Sequence, residues 1–244
     1  MPNLPRNGAY RMPAEWEPQK STWIAWPHNK DDWPGKFEDI PGVFALIISN
    51  ISKVQLVNIL VNKKSEHKKI INKLKSFGTK ISNLRLINCK TDRSWVRDSL
   101  PIFIKIKKNK KILSNWEFNA WAKYNNFKKD NTAYLKIKRA TKIKVIKPKF
   151  KRKKIILEGG SIDVNGNGLL LTTKQCLLSK IQERNKGFKI KDYEIIQDAL
   201  VFSIVADDFE TAKELLQFIE KQNMKIPASN VFAFADSIKM GKFD

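Results

Sequence analysis

From residue 43 onward the apolar positions fall into regular patterns. Val43-Phe44-Ala45-Leu46-Ile47 with Ile51 have helical spacing, and Gln55-Leu56-Val57-Asn58-Ile59-Leu60-Val61 reads as a buried strand. Residues 65–77 predict a second helix with Ile70, Ile71 and Leu74 inward, and Leu84-Arg85-Leu86-Ile87 another short strand. Strands alternating with helices predict an α/β fold. Upstream, residues 10–40 hold Trp16, Trp23, Trp26 and Trp33 among Pro13, Pro18, Pro27 and Pro34. Those prolines exclude a long helix and predict an ordered loop or strand entry.

Residues 101–157 differ. Pro101-Ile102-Phe103-Ile104-Lys105-Ile106-Lys107 and Ile143-Lys144-Val145-Ile146 read as alternating strands with a lysine face. In the last sixty residues, Val201-Phe202-Ser203-Ile204-Val205-Ala206 predicts a strand. Asp207 and Glu210 suit a capping box, and Phe209, Ala212, Leu215, Leu216 and Ile219 share one helical face. Val231-Phe232-Ala233-Phe234-Ala235 suits a following strand. The expected division is a first domain over 1–185 and an α/β segment over 186–244 packed on it.

At 244 residues and 42% hydrophobic, the chain has the apolar material to fold. Charge is the outlier, with 47 Lys+Arg against 24 Asp+Glu. A nucleic-acid partner is one reading of it. However, 39 of the 47 are Lys and only 8 Arg, whereas phosphate and base recognition favour the guanidinium fork. Residues 105–154 alone carry 19 basic residues against Glu117 and Asp130. Alternation with Ile and Val there favours a wet sheet face with edge-protecting lysines over a phosphate-tracking groove. Nucleic acid is therefore not the expected partner. No run has the length of a membrane span and the first ten residues lack an apolar signal core, so a cytoplasmic protein without a membrane role is expected. Cys89 and Cys176 are too few for a disulfide framework, and His28 and His67 are too few for a His-rich metal centre.

Three polar clusters place acids or amides beside tryptophan and a turn. They are Asp92-Arg93-Ser94-Trp95-Val96-Arg97-Asp98, Asn115-Trp116-Glu117-Phe118-Asn119-Ala120-Trp121 and Leu157-Glu158-Gly159-Gly160-Ser161-Ile162-Asp163. Carboxylates beside aromatic walls suit a planar cation: the acid accepts two parallel N–H bonds and an indole face adds cation–π attraction. The plainer reading pairs Arg93 or Arg97 with Asp92 or Asp98 at the surface and makes Gly159-Gly160 an ordinary turn.

Taken with Arg11-Met12-Pro13-Ala14-Glu15-Trp16-Glu17-Pro18, Thr22-Trp23-Ile24-Ala25-Trp26-Pro27-His28-Asn29 and Leu170-Leu171-Thr172-Thr173-Lys174-Gln175-Cys176-Leu177-Leu178, the order of these clusters resembles the agmatine deiminase family, relatives of the bacterial peptidylarginine deiminases. The similarity spans about residues 10–185. It implies a partial pentein, an α/β propeller of ββαβ-type modules around a polar pocket, and hydrolysis of a guanidinium to a ureido group with release of ammonia, the step from agmatine to N-carbamoylputrescine in polyamine metabolism. In that family a cysteine thiolate attacks the guanidinium carbon, a histidine shuttles protons and carboxylates hold the cation. By motif, Asp98 binds the guanidinium, Trp95 walls the pocket, Trp116 and Asn119 contact the substrate, and Glu158 orients the catalytic histidine. No metal or organic cofactor is implied. The expected partners are a small guanidinium cation such as agmatine and further copies of the chain in a homo-oligomer.

The match then stops. No histidine follows residue 67, and after Gly187 the only glycine is Gly241, so the family's His-x-Asp motif and Gly-rich nucleophile segment have no counterpart. Cys176 reads as a buried core thiol, Cys89 as packing, His28 as a loop hydrogen bonder and His67 as a solvated helix residue. Leu100, Glu117 and Ala122 stand where many relatives have glycine. The expectation is a chain inactive by itself; the alternatives are a non-catalytic guanidinium or polyamine binder and a basic nucleic-acid-binding protein.

Overall fold

The computed structural model describes residues 10–106, 110–166, 170–189 and 204–205. Three parallel strands form its first sheet: β2 (Ser21–Ala25), β3 (Leu56–Val61) and β4 (Leu84–Asn88), in the order β2-β3-β4. Helices α1 (Ile40–Ser52) and α2 (His67–Ser76) supply the crossovers. Val57, Ile59 and Val61 pack with Ala45, Ile48, Ile70 and Leu74 of the helices on one face. On the other, Leu60 and Ala25 join Cys89, Leu113, Ala133 and Ile137. Cover on both faces is why β3 reads as an almost unbroken apolar run.

The second sheet has the order β1-β5-β6-β7, built from β1 (Tyr10–Arg11), β5 (Ile102–Ile106), β6 (Lys111–Ser114) and β7 (Lys144–Ile146). Helix α4 (Asp130–Thr141) crosses from β6 to β7, which run parallel. The basic window is therefore not one sheet face. Its charges spread over β5 to β7, the outer side of α4 and a hairpin of β8 (Lys149–Phe150) and β9 (Lys153–Lys154). The α4 lysines escape the period-two reading because Ala133 and Ile137, four residues apart, are the helix's buried stripe.

A third sheet, β10-β11-β12, combines β10 (Asp163–Val164), β11 (Leu170–Thr172) and β12 (Ile204–Val205), followed along the chain from β11 by the short helix α5 (Lys174–Leu178). Strand β12 pairs parallel with Leu171 and Thr172. Apart from residues 186–189 and that pair, the predicted elements of 186–244 lie outside the described residues. Among the described residues no helix is long and apolar enough to cross a membrane, and no three His, Cys, Asp or Glu side chains group as metal ligands.

Candidate functional site

The segment leaving β4 is held from every side before it delivers Trp95 and Asp98. The Thr91 backbone N–H donates to Asn62 Oδ1 at 2.8 Å, and Asn62 Nδ2 donates to the Thr91 carbonyl at 3.0 Å. The two ring nitrogens of His28 lie 3.1 and 3.0 Å from the carbonyl oxygens of Trp26 and Thr91. Both ring nitrogens thus face backbone carbonyl oxygens, and the tautomer decides which of them donates. Directly after Thr91, the Asp92 and Arg93 N–H groups donate to Asp130 Oδ1 at 2.9 and 3.3 Å.

Arg93 does not pair with Asp92 or Asp98. Its guanidinium is buried against Asp32 and the Asn126 amide oxygen, 4.0 Å above the centre of the Tyr124 ring. Arg97 bridges to Glu15 and donates from Nε to the Gly159 carbonyl at 3.0 Å. Asp92 takes Lys129 Nζ at 2.8 Å. The plain surface bridges open to the sequence are therefore replaced by contacts that tie this segment to three other parts of the chain.

Asp98 lies on α3 (Val96–Ser99), a helix of one turn. Its Oδ2 accepts from Trp121 Nε1 at 3.2 Å and its Oδ1 from the Gly160 N–H at 2.9 Å. Burial, and then the charge of Glu158, push its carboxyl above the usual aspartate range, against the pull of those two bonds. A carboxylate offers about four acceptor positions, so capacity remains for a ligand. Gly159-Gly160 is more than an ordinary turn. A Cβ on Gly160 would lie 2.0 Å from Asp98 Oδ1, and one on Gly159 2.5 Å from the Arg97 carbonyl oxygen. Only glycine allows this approach.

Trp121 is aimed at Asp98 by a left-handed turn in which Ala120, Trp121 and Ala122 have φ of 51°, 60° and 55°. Asn119 caps it, its Oδ1 accepting from the Ala122 N–H at 3.0 Å. Asn119 thus shapes the wall that carries Trp121. Trp116, expected at the substrate, is 5% exposed in the core with Ile102, Ile104 and Leu157 and lines neither of the two cavities described below. The chain around it is pinned by Asn115 N to the Ile146 carbonyl and Glu117 N to the Ile155 carbonyl, each 2.9 Å.

An open cavity of about 390 Å³ is lined by Trp95, Trp121, Tyr124, Asp32, Arg93 and Arg184, among others. Trp95, 42% exposed, stands at it beside Trp33, their ring centres 5.5 Å apart. Glu158 is buried, and Arg184 Nε donates to its Oε1 at 2.8 Å. Its Oε2 has no hydrogen-bond donor among the described residues. Sequence reasoning missed Arg184, and with it Asn185, whose amide exchanges two 2.8 Å bonds with the Ile156 backbone. A signal was present: in a chain of 39 Lys, the 8 Arg are the positions to suspect of fork geometry.

The thiols lie elsewhere. Cys89 is buried, and burial pushes its thiol up to about 11. Cys176 is half-buried on α5 instead of in the core, because its neighbour Leu177 takes the inward position. His67, expected to be solvated, opens α2 half-buried, with Nε2 buried and unpartnered among the described residues.

Known proteins resemble the chain in sequence and fold. Residues 11–201 match the family described as Porphyromonas-type peptidyl-arginine deiminase. An agmatine deiminase of Pseudomonas aeruginosa is 30% identical over 182 residues, 72% of this chain and 47% of its own length. One from Pseudomonas fluorescens is 31% identical over 185 residues, with 72% and 47% covered. The solved agmatine deiminase of Enterococcus faecalis superposes with a TM-score of 0.71 at 25% identity, covering 82% of this chain and 53% of that one. A C. jejuni agmatine deiminase with substrate bound gives 0.68 at 26%, covering 84% and 59%. The chain spans about half the length of these relatives, and its fold is the part of a pentein that the motifs imply. By the match over most of its length, this chain belongs to the Porphyromonas-type peptidyl-arginine deiminase family, which its agmatine deiminase relatives share.

Proposed function

We propose that the chain binds a small guanidinium cation such as agmatine at Asp98, between the indoles of Trp95 and Trp121, and that it does not turn this ligand over by itself. The observation that carries the reading is the Asp98 carboxylate, half-buried, raised in pKa, and braced by Trp121 Nε1 and the Gly160 N–H. A guanidinium gains a charge-assisted hydrogen bond at each remaining acceptor position. An indole face adds about 0.5–2 kcal/mol.

Hydrolysis to a ureido product needs an activated nucleophile and a proton carrier. The state of the thiols and imidazoles supports the non-catalytic part of the reading. Cys89 sits in the core with its proton held tightly, and both nitrogens of His28 face backbone carbonyl oxygens. Glu158, which by resemblance would orient a histidine, holds Arg184.

Calorimetry with agmatine on the parent chain and on Asp98→Asn tests binding. The parent should bind and the variant should lose about tenfold or more, the value of one charge-assisted hydrogen bond. No heat from the parent would dismiss the site. Ammonia and ureido release, assayed alongside, should be nil. Turnover abolished by Cys89→Ala or Cys176→Ala would instead identify a working nucleophile.

A further inference from the structure

A second concavity, of about 440 Å³, opens at the carboxyl ends of β3 and β4. Its lining includes Lys64 just past β3, Asn88 and Lys90 at the end of β4, and Leu135 and Lys136 on α4, with Cys89 among them. None of these lines the Trp95–Trp121 cavity. In open α/β sheets, ligands collect outside the carboxyl ends of the strands, where the loops diverge. The volume lies within the range of small-molecule sites, about 300–1,000 Å³.

The charge there is one-sided. Lys64, Lys90 and Lys136 are all exposed and none forms a salt bridge among the described residues, although other lysines of the chain do. No carboxylate lines the cavity. Of the two charges that act on the Cys89 thiol, Lys136 lines the cavity, whereas Asp130 is buried and does not. Three like charges on the lining of one hollow repel each other, and a multiply charged anion relieves that repulsion. Leu135, 51% exposed, and buried Cys89 add an apolar wall and floor that a bare inorganic ion leaves unused. Asn62 also borders the hollow, but its amide is committed to Thr91. Asn88 and Thr132 are the hollow's other polar lining residues, and the charged ones are the three lysines.

We propose that this cavity binds a phosphate ester of mononucleotide size, its phosphate among Lys64, Lys90 and Lys136 and its body against Leu135. The full chain is titrated by calorimetry at low salt with adenosine monophosphate, inorganic phosphate and adenosine. Adenosine monophosphate should bind one per chain, inorganic phosphate more weakly, and adenosine not measurably.

The double variant Lys90→Glu/Lys136→Glu should weaken adenosine monophosphate by about tenfold or more. Lys149→Glu/Lys153→Glu, the same charge change on the exposed β8–β9 hairpin, should alter it less than about twofold. Equal losses in the two variants would show diffuse attraction to a basic protein and overturn the site, as would an absence of saturable binding by the parent. Inorganic phosphate binding as tightly as the ester would overturn the assigned ligand class. Asp98→Asn should leave this affinity unchanged, so the outcome does not depend on the guanidinium site.

Discussion

Asp98 and Asp130 are both drawn out of water and both held by backbone N–H groups, yet they serve different ends. Asp130 is fully buried at the first turn of α4, and its Oδ1 takes the N–H groups of Asp92 and Arg93. Burial pushes it up to about 7. Asp98 is half-exposed, with one donor on each oxygen and the cavity-lining indoles of Trp95 and Trp121 nearby. Desolvation and a raised pKa are thus common to a structural acid and to the acid proposed to hold the ligand. What separates them is exposure: Asp98 keeps part of its surface in water and Asp130 keeps none, and Asp130 holds the start of the segment 92–98 that carries Asp98.

The sharpest way to break this contrast is the matched pair Asp98→Asn and Asp130→Asn. The first should weaken agmatine by about tenfold or more in calorimetry, while the second, which keeps an oxygen for the Asp92 and Arg93 N–H groups, should leave it within about threefold. Gly160→Ala should come next. Its Cβ must displace the Asp98 carboxylate and break a 2.9 Å bond, costing about 1–3 kcal/mol in thermal or denaturant unfolding and most of the binding.

The pH dependence of stability separates the two acids further. Burial raises Asp130 from an ordinary 3.8 to about 7, so the folded state holds the extra proton between those limits. Its contribution to stability should fall as pH rises from about 4 to about 7 and level off above. Denaturant midpoints across that window should show this decline, and Asp130→Asn should remove it. Trp95→Ala should weaken agmatine by about two- to tenfold, the range of an exposed cation–π contact, with no change in melting temperature. The smallest effect is at Ala122, whose φ of 55° lies in the left-handed region; Ala122→Gly should stabilise by about 1 kcal/mol while Trp121 stays in place.

Much of the first sheet was legible. Residues 55–61 and 84–87 differ from β3 and β4 by one residue at an end, and the predicted helices lie over α1 and α2, although residues 64–66 form a 3-10 turn before α2 starts at His67. Ser21–Ala25 was hidden as a strand because its neighbours are prolines and indoles, and β2 gains its partner only by pairing with Leu56–Leu60. Helix α4 was hidden because Lys136, Lys138 and Arg139 mask a stripe carried by small Ala133 and by Ile137. Of the candidate site, Trp95, Asp98 and Glu158 could be named from their motifs. The roles of Trp121, Arg184 and Asn119 could not, since each depends on an approach across more than twenty residues or on a left-handed backbone that Ala-Trp-Ala does not advertise.

The amino-acid sequence determined by itself the α/β alternation, the family and the presence of acids beside tryptophans, because these depend on residue type and spacing along the chain. Only the tertiary structure decided which acid stays available and which is consumed, that Trp116 packs in the core while Trp121 reaches Asp98, and that Glu158 meets Arg184. The physical reason is that burial and hydrogen-bond capacity belong to the surroundings of a group, and those surroundings are assembled from segments far apart in the chain.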